Sequence, residues 1–251
     1  MNTRTVCLLL ALMLLPVAAQ CQLVDEFKPA SANYRPPIVV QRLADQMLDW
    51  NQLSRYQADN EKLKAQPAVP GRVVFMGDSI TDIWGLAAAF PGKPYVNRGI
   101  SGQTTPQMLV RFYPDVIELK PAAVLILAGT NDIARNTGPQ TAEMIQRNFM
   151  AMAELAQAHS IKVILCSILP VSDPGRNQTA SHPPADILKL NAWIRAYAAT
   201  INAIYADYFT PLVDGQGLLK QGTSDDGLHP NGAGYELMVP VASAAIQKAL
   251  Q

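Results

Sequence analysis

Five short apolar runs, separated by longer stretches with helical spacing, constrain the fold of this chain more than any other feature. They lie at residues 73–76, 95–97, 123–128, 162–167 and 203–206. The first, Val73-Val74-Phe75-Met76, is continuously apolar, which is how a strand covered on both faces reads. Between the runs, residues 105–119 carry Met108, Leu109, Phe112, Val116 and Leu119, and residues 141–159 carry Ile145, Phe149, Met152 and Ala156 on one stripe. Residues 187–201 and 232–250 complete the helical set. Thr105 is expected to cap its helix with Pro106 in the first turn, and Pro240 to kink or divide the last helix. Alternating strand and helix requires a parallel sheet with helices on both faces. With right-handed crossovers, the expected fold is a three-layer α/β/α sandwich around a five-stranded parallel sheet, flavodoxin-like in arrangement.

Of the 251 residues, 49% are hydrophobic, enough for one sizeable core. Lys and Arg total 20, matching 20 Asp and Glu, and no basic run stands out, so neither nucleic acid nor an anionic membrane surface is an expected partner. Residues 1–19 read as a signal peptide: Arg4 leads an apolar centre at 6–15, too short for a stable membrane anchor, and Val17-Ala18-Ala19 offers a cleavage site. The protein is therefore expected outside the cytoplasm, periplasmic or secreted, with no transmembrane anchor once the leader is removed. Cys21 opens the alternative of a lipid-modified N-terminus, against which Gln20 stands where lipoprotein signals want a small residue. Cys166 sits in an apolar run and is expected in the core; a disulfide to Cys21 is open but not required. No Cys/His spacing suggests zinc, and neither metal nor cofactor is expected. Residues 20–71 form an expected arm and amphipathic helix, with Leu43, Met47, Trp50 and Leu53 on one face, ahead of a domain at 72–251. That face suits packing on the domain; dimerisation or membrane contact is the sharper alternative.

Four blocks fall where elements end: Gly77-Asp78-Ser79-Ile80, Asn97-Arg98-Gly99-Ile100-Ser101-Gly102, Gly129-Thr130-Asn131-Asp132 and Asp226-Gly227-Leu228-His229. In open α/β sheets ligands bind beyond the carboxyl ends of the strands. Gly-Asp-Ser alone fits a helix cap as well as a nucleophile. Acyl transfer needs a hydroxyl, an imidazole to take its proton, a carboxylate to hold the imidazole, and donors for the oxyanion. Ser79, His229 and Asp226 supply the first three. The Asn131 amide and the backbone N–H groups of Gly102 and Ser79 supply the donors. Ser101 is a rival nucleophile, but Gly99-Ile100-Ser101 continues to Gln103 and breaks the G-x-S-x-G pattern. Asp78 has no second carboxylate at position 80, which argues against an aspartyl phosphatase. Asp78 and Asp132 are expected to hold loops by accepting backbone hydrogen bonds. Asp225 is a rival for the orienting acid and otherwise a solvated loop charge. Residues 171–184, polar and rich in Pro, Gly and Ser, are expected to border the mouth of the site.

From residue 72 onward the chain resembles the GDSL, or SGNH, hydrolase family. Ser79, Gly102, Asn131 and His229 match the four residues that name its blocks, and Asp226 matches its Asp three before the His. Ile80 stands where the name has Leu, a swap that keeps an apolar side chain. The resemblance implies a serine esterase or acylhydrolase without metal, with Ser79, His229 and Asp226 catalytic and Ser79, Gly102 and Asn131 forming the oxyanion hole. It favours Asp226 over Asp225. The expected substrate is a small-molecule or carbohydrate ester with a short acyl group, O-acetyl on a sugar among them. Alternatives are a lysophospholipase, lipase or thioesterase, and a carbohydrate-binding protein without turnover on the same fold. Trp84 is expected either in an acyl-pocket wall or in the core, His182 in an exposed loop with a substrate contact as the sharper alternative, and His159 at a helix end as a structural residue.

Overall fold

The computed structural model describes residues 47–67 and 69–251. The expected signal peptide, Cys7, Cys21, Leu43 and the arm up to residue 46 lie outside the described residues. The five apolar runs form β1 (Val73–Gly77), β2 (Tyr95–Gly99), β3 (Ala123–Leu127), β4 (Lys162–Cys166) and β5 (Ile204–Ala206). All pair in parallel, in the order β2-β1-β3-β4-β5. This is the flavodoxin-like order.

Because side chains alternate across a strand, each run feeds two cores. Val74, Met76, Val124, Ile126, Val163 and Leu165 face α4 (Thr105–Asp115), α6 (Ala142–Ala158) and α8 (Pro184–Thr200). Met108, Phe112, Ile145, Phe149, Met152, Leu190 and Ile194 meet them there. Val73, Phe75, Leu125, Leu127 and Ile164 face the other way, toward the short helices α2 (Ser79–Asp82), α3 (Leu86–Ala89) and α9 (Phe209–Leu212) and the long α10 (Gly232–Ala249). Cys166 is buried and unpaired in this second core.

The chain leaves β1 to build β2 on one side and returns to build β3 on the other, so the crevice of the sheet opens beyond β1 and β3. Register brings Gly77 level with Gly99 and with Leu127. Helix α2 folds back over these ends so closely that a Cβ on Gly99 would lie 2.1 Å from the Asp82 backbone nitrogen. Asn97 locks the approach, donating from Nδ2 to the Thr81 (2.6 Å) and Trp84 (3.2 Å) carbonyls while its Oδ1 accepts from the Gly99 N–H (2.8 Å).

Two buried carboxylates hold the loops at this end. Asp78 Oδ1 accepts from the Ile80 N–H at 3.0 Å, capping α2, while its Oδ2 is buried without a partner. Burial pushes its pKa up to about 7, the Ile80 hydrogen bond and the His229 charge opposing and the Asp132 charge adding. Asp132, in the short helix α5 (Thr130–Ile133), accepts from the Thr105 N–H (3.0 Å), the Thr105 hydroxyl (2.5 Å) and Gln140 Nε2 (3.0 Å). Burial raises it to about 6 against those hydrogen bonds.

Several helix expectations are corrected. Helix α1 spans Ser54–Ala65, so of the expected stripe Met47, Trp50 and Leu53 precede it, and Leu43 lies outside the described residues. Asp49 turns the chain just before it, accepting from the Leu53 (2.7 Å) and Ser54 (3.0 Å) N–H groups, and Gln52 takes a left-handed φ of 55°. Met47 is 83% exposed and Trp50 and Leu53 43% each, so the apolar spacing does not mark a core stripe. Helix α1 packs through Leu63 against the first core and through the polar groups of Tyr56 and Asn60. Thr104, not Thr105, is the N-cap of α4, its N–H donating to Gln107 Oε1 at 3.1 Å, because Asp132 claims Thr105. That helix ends at Asp115; Val116 is its cap and Leu119 lies in a 3₁₀ turn at Ile117–Leu119, both still buried. Pro240 does not divide α10. Pro240 and Glu236 are exposed, so water can take the carbonyl that proline leaves unbonded.

Two outcomes follow. Gly99→Ala drives a methyl into the backbone of α2 and should cost roughly 2 kcal/mol or more in denaturant unfolding. Asp78 and Asp132 keep protons in the folded state that the unfolded chain releases near pH 4, so the folded chain binds more protons from there up to about pH 7. Stability therefore falls as pH rises through that window. Asp78→Asn keeps an oxygen for the Ile80 N–H and removes the titrating group; its melting temperature should exceed that of wild type at pH 8, on the order of 5 °C, and converge with it near pH 4.

Candidate active site

The switch from β1 to α2 sets the first group. Gly77 ends the strand, Asp78 caps the helix, and Ser79 occupies the first helical position. The cap and nucleophile readings of Gly-Asp-Ser thus fall to different residues: Asp78 binds backbone, and the Ser79 hydroxyl faces His229. In the first turn of a helix the Ser79 N–H has no intrahelical acceptor, so it is a donor at the cleft.

His229 lies in the loop that enters α10. Its Nε2 is 2.9 Å from Ser79 Oγ and its Nδ1 is 2.7 Å from Asp226 Oδ2. A carboxylate only accepts, so Nδ1 carries the proton and Nε2 is left to accept from the serine hydroxyl. The other oxygen, Asp226 Oδ1, accepts from the N–H groups of Leu228 (3.0 Å) and His229 (2.8 Å), which fixes ring and carboxylate in one tight turn. Burial alone would raise the Asp226 carboxyl, but the hydrogen bonds from the His229 ring and these two backbone groups hold it well below the usual carboxylate range. Asp225 points elsewhere, accepting from Asn231 Nδ2 at 3.0 Å.

The polar stretch 171–184 buttresses this turn. The Ser172 N–H donates to the Gly227 carbonyl (2.9 Å) and Gln178 Nε2 to the Asp226 carbonyl (3.2 Å). A short helix, α7 (Gln178–Ser181), lies within it and ends on His182. His182 is buried, not solvent-exposed, with Nδ1 3.2 Å from the Gln178 carbonyl; burial lowers its pKa, the Gln178 carbonyl opposing and the His229 charge adding. It does not line the cleft. His159 caps the C-terminus of α6 and meets Tyr113 edge to face.

Facing Ser79 are Gly102 and Asn131. Gly102 is exposed with φ +82°, a backbone region that glycine enters without strain, and its missing side chain leaves open space over the N–H. Asn131 Nδ2 donates one hydrogen to the Gln103 carbonyl at 3.0 Å, which leaves the second for a ligand. Asn136 was not singled out by sequence reasoning. Its Nδ2 reaches both the Gly102 carbonyl (3.2 Å) and Asn131 Oδ1 (2.9 Å), so the Asn131 oxygen is held on Asn136 and its nitrogen toward the cleft. Only its place five residues after Asn131, in a loop beyond a strand end, hints at this.

The cleft has a volume of about 460 Å³ and is lined by Ser79, Ile83, Ser101, Gly102, Asn131, Leu228 and His229. Ile83 and Leu228 are its apolar walls. Trp84 is not among them: it is 3% exposed and packs against Phe75, Phe90, Tyr208 and Tyr235 in the core, because α2 turns its side chain inward while Ile83 points out. The Ser101 hydroxyl is occupied with Asp82 Oδ2 at 2.7 Å. Among the described residues no group of three or more His, Cys, Asp or Glu side chains is placed to hold a metal ion, and no helix is long and apolar enough to cross a membrane. A hydroxyl on an imidazole, a carboxylate behind it and amide donors opposite are the parts acyl transfer requires.

Comparison with known proteins bears on the same residues. A model of the GDSL-like lipase/acylhydrolase family matches residues 75–237, which include every group of the cleft. The crystal structure of a GDSL-like lipase from Bacteroides thetaiotaomicron superposes with a TM-score of 0.74 at 43% identity, covering 80% of this chain and 99% of that one. The esterase TesA of Pseudomonas aeruginosa is 30% identical over 187 residues, 67% of this chain and 84% of TesA. An acetylxylan esterase of Xylanibacter ruminicola is 25% identical over 214 residues, 70% of this chain and 43% of that protein. With more than half its length, the cleft residues included, inside the matched region, the chain belongs to the GDSL-like lipase/acylhydrolase family of ester-cleaving enzymes.

Proposed function

We propose that this protein is an exported serine ester hydrolase that removes short acyl groups, O-acetyl groups on carbohydrate among them. The observation that carries the reading is the hydrogen-bonded chain from Asp226 through His229 to Ser79, opening on a small cleft with amide donors opposite. His229 Nε2 takes the proton of Ser79 Oγ as the oxygen attacks the ester carbonyl. Asp226 stabilises the resulting imidazolium. The carbonyl oxygen becomes an anion that the N–H groups of Gly102 and Ser79 and the free hydrogen on Asn131 Nδ2 stabilise. The intermediate collapses, the alcohol leaves with the proton from His229, and Ser79 holds the acyl group. Water then attacks with His229 again as base, and the acid departs.

The short acyl group is supported by the cleft, whose apolar walls are Ile83 and Leu228. A long chain needs a broader apolar surface. The sugar as the alcohol part is supported by the similarity to an acetylxylan esterase. Export rests on the signal-peptide pattern of residues 1–19, with lipid attachment at Cys21 the alternative form of it.

Ser79→Ala should lower turnover on the order of 10⁶-fold and abolish labelling by a fluorophosphonate. Asn131→Ala should lower turnover roughly 10²–10³-fold. Full esterase activity in Ser79→Ala would overturn the nucleophile assignment. Chromogenic esters from acetyl to octanoyl and longer should be cleaved with falling kcat/KM; rising values along that series would replace the acetyl reading with lipase or lysophospholipase chemistry.

A further inference from the structure

Gln103 follows Gly102 directly and is 1% exposed. Its polar groups are all engaged. The N–H donates to the Ile100 carbonyl (3.2 Å) and the carbonyl accepts from Asn131 Nδ2 (3.0 Å). In the side chain, Oε1 accepts from Arg111 Nε and Nε2 donates to the Asn51 carbonyl (2.9 Å). A guanidinium only donates and a carbonyl only accepts, so this amide has one orientation.

Arg111 is fully buried, and its remaining hydrogens reach β1 and the end of its own helix. Nη2 donates to the Gly77 carbonyl at 3.0 Å, two residues before Ser79, and Nη1 to Asp115 Oδ2 at 2.8 Å. One planar group thus fixes the distance between the end of β1 and the residue after Gly102. Asp115 is tied to helix α1 by Asn60 Nδ2 (2.6 Å), and Asn60 Oδ1 accepts from Arg98 Nε (3.0 Å). The Tyr56 hydroxyl donates to the Gly99 carbonyl under the Arg98 guanidinium, which lies 4.5 Å from its ring centre. Residues 51–60 lie outside the matched family region, yet they hold the loop that carries Gly102.

The loop needs this support. Ser101 and Gly102 are exposed, and nothing lies within 4 Å of where a Gly102 side chain would begin. Packing therefore does not place the Gly102 N–H; hydrogen bonds do, from Asn136 to the Gly102 carbonyl, from Ser101 to Asp82 and, on the far side, through the side chain of Gln103. Gln103 also accepts from Asn131 through its carbonyl, so it is joined to both donors that face Ser79, with Asn136 holding them from the other side. Oxyanion donors act only when aimed at the developing charge, and small displacements are costly.

We infer that Gln103, gripped between Arg111 and the Asn51 carbonyl, is a positioning residue for the oxyanion donors, which makes the segment before β1 a working part of the catalytic apparatus. This rests on the reading of Gly102 and Asn131 given above. The test compares Gln103→Ala and Gln103→Glu with wild type on p-nitrophenyl acetate and in affinity for phenylboronic acid, which forms a tetrahedral adduct on an activated serine. Gln103→Ala should lower kcat roughly 10–100-fold with KM within about threefold, and weaken boronate binding in parallel. Gln103→Glu keeps the Arg111 contact and loses the donor to Asn51; it should lower kcat about 3–10-fold. A purely structural role would lower the melting temperature and leave kcat and boronate affinity within about twofold of wild type, and that result overturns the inference. If Gln103→Ala does not fold, the near-isosteric Gln103→Glu decides by the same two measures. Asn131→Ala runs alongside: an unchanged kcat there refutes the oxyanion reading itself, whereas an impaired Asn131→Ala beside unimpaired Gln103 variants refutes only the positioning role.

Discussion

The level register of three neighbouring strand ends is the constraint on which the rest depends. Gly77 lies between Gly99 and Leu127, so the loops that follow β1, β2 and β3 start from one line. Ser79, Gly102 and Asn131 are each a few residues past that line. A slip of one residue in any pairing would move its loop by about 3.3 Å and reverse every side chain between the two cores. The apolar runs of β1 and β3 prevent this, since both faces of these two strands are buried and both must match their helices.

Much of this is written locally in the chain. Runs such as Val73–Met76 declare buried strands without reference to anything distant, and strand–helix alternation with right-handed crossovers leaves few sheet orders to choose from. The four blocks also declare themselves locally, since three place glycine and short polar residues at the end of an apolar run and the fourth sits just before a helix. The less legible parts depend on what meets what. Trp84 and Ile83 are neighbours in sequence, and only the path of α2 decides that Ile83 faces the cleft and Trp84 the core. His182 reads as a loop residue because its surroundings are polar, yet the loop folds under the turn that carries Asp226 and His229 and buries it. The apolar spacing of Met47, Trp50 and Leu53 mimics a helical stripe, but Asp49 and Gln52 break the backbone between them. Asn136, Gln103 and Arg111 carry no pattern at all, since their partners are hydrogen-bonding groups brought together by the fold.

The loops at the cleft are held more by polar contacts than by packing. Asp132 spans from α5 to the start of α4, Asn97 from β2 to α2, and Arg111 from α4 to β1. Such contacts fix direction as well as distance, which apolar packing does less well. The cost appears in Asp78 and Asp132, whose carboxyls are buried enough to hold protons near neutrality. A site that must expose serine, imidazole and amide to water has few apolar side chains to spare for holding them.

The two halves of the proposed proton relay, Ser79 and His229, are 150 positions apart in the chain, and the later one lies between β5 and α10. A ribosome that has made the sheet through β5 has yet to make the base. A nascent polypeptide, or one still being threaded across a membrane, would carry an inert alcohol. On the proposed mechanism, such a chain gains its base only once the turn before α10 reaches the end of β1.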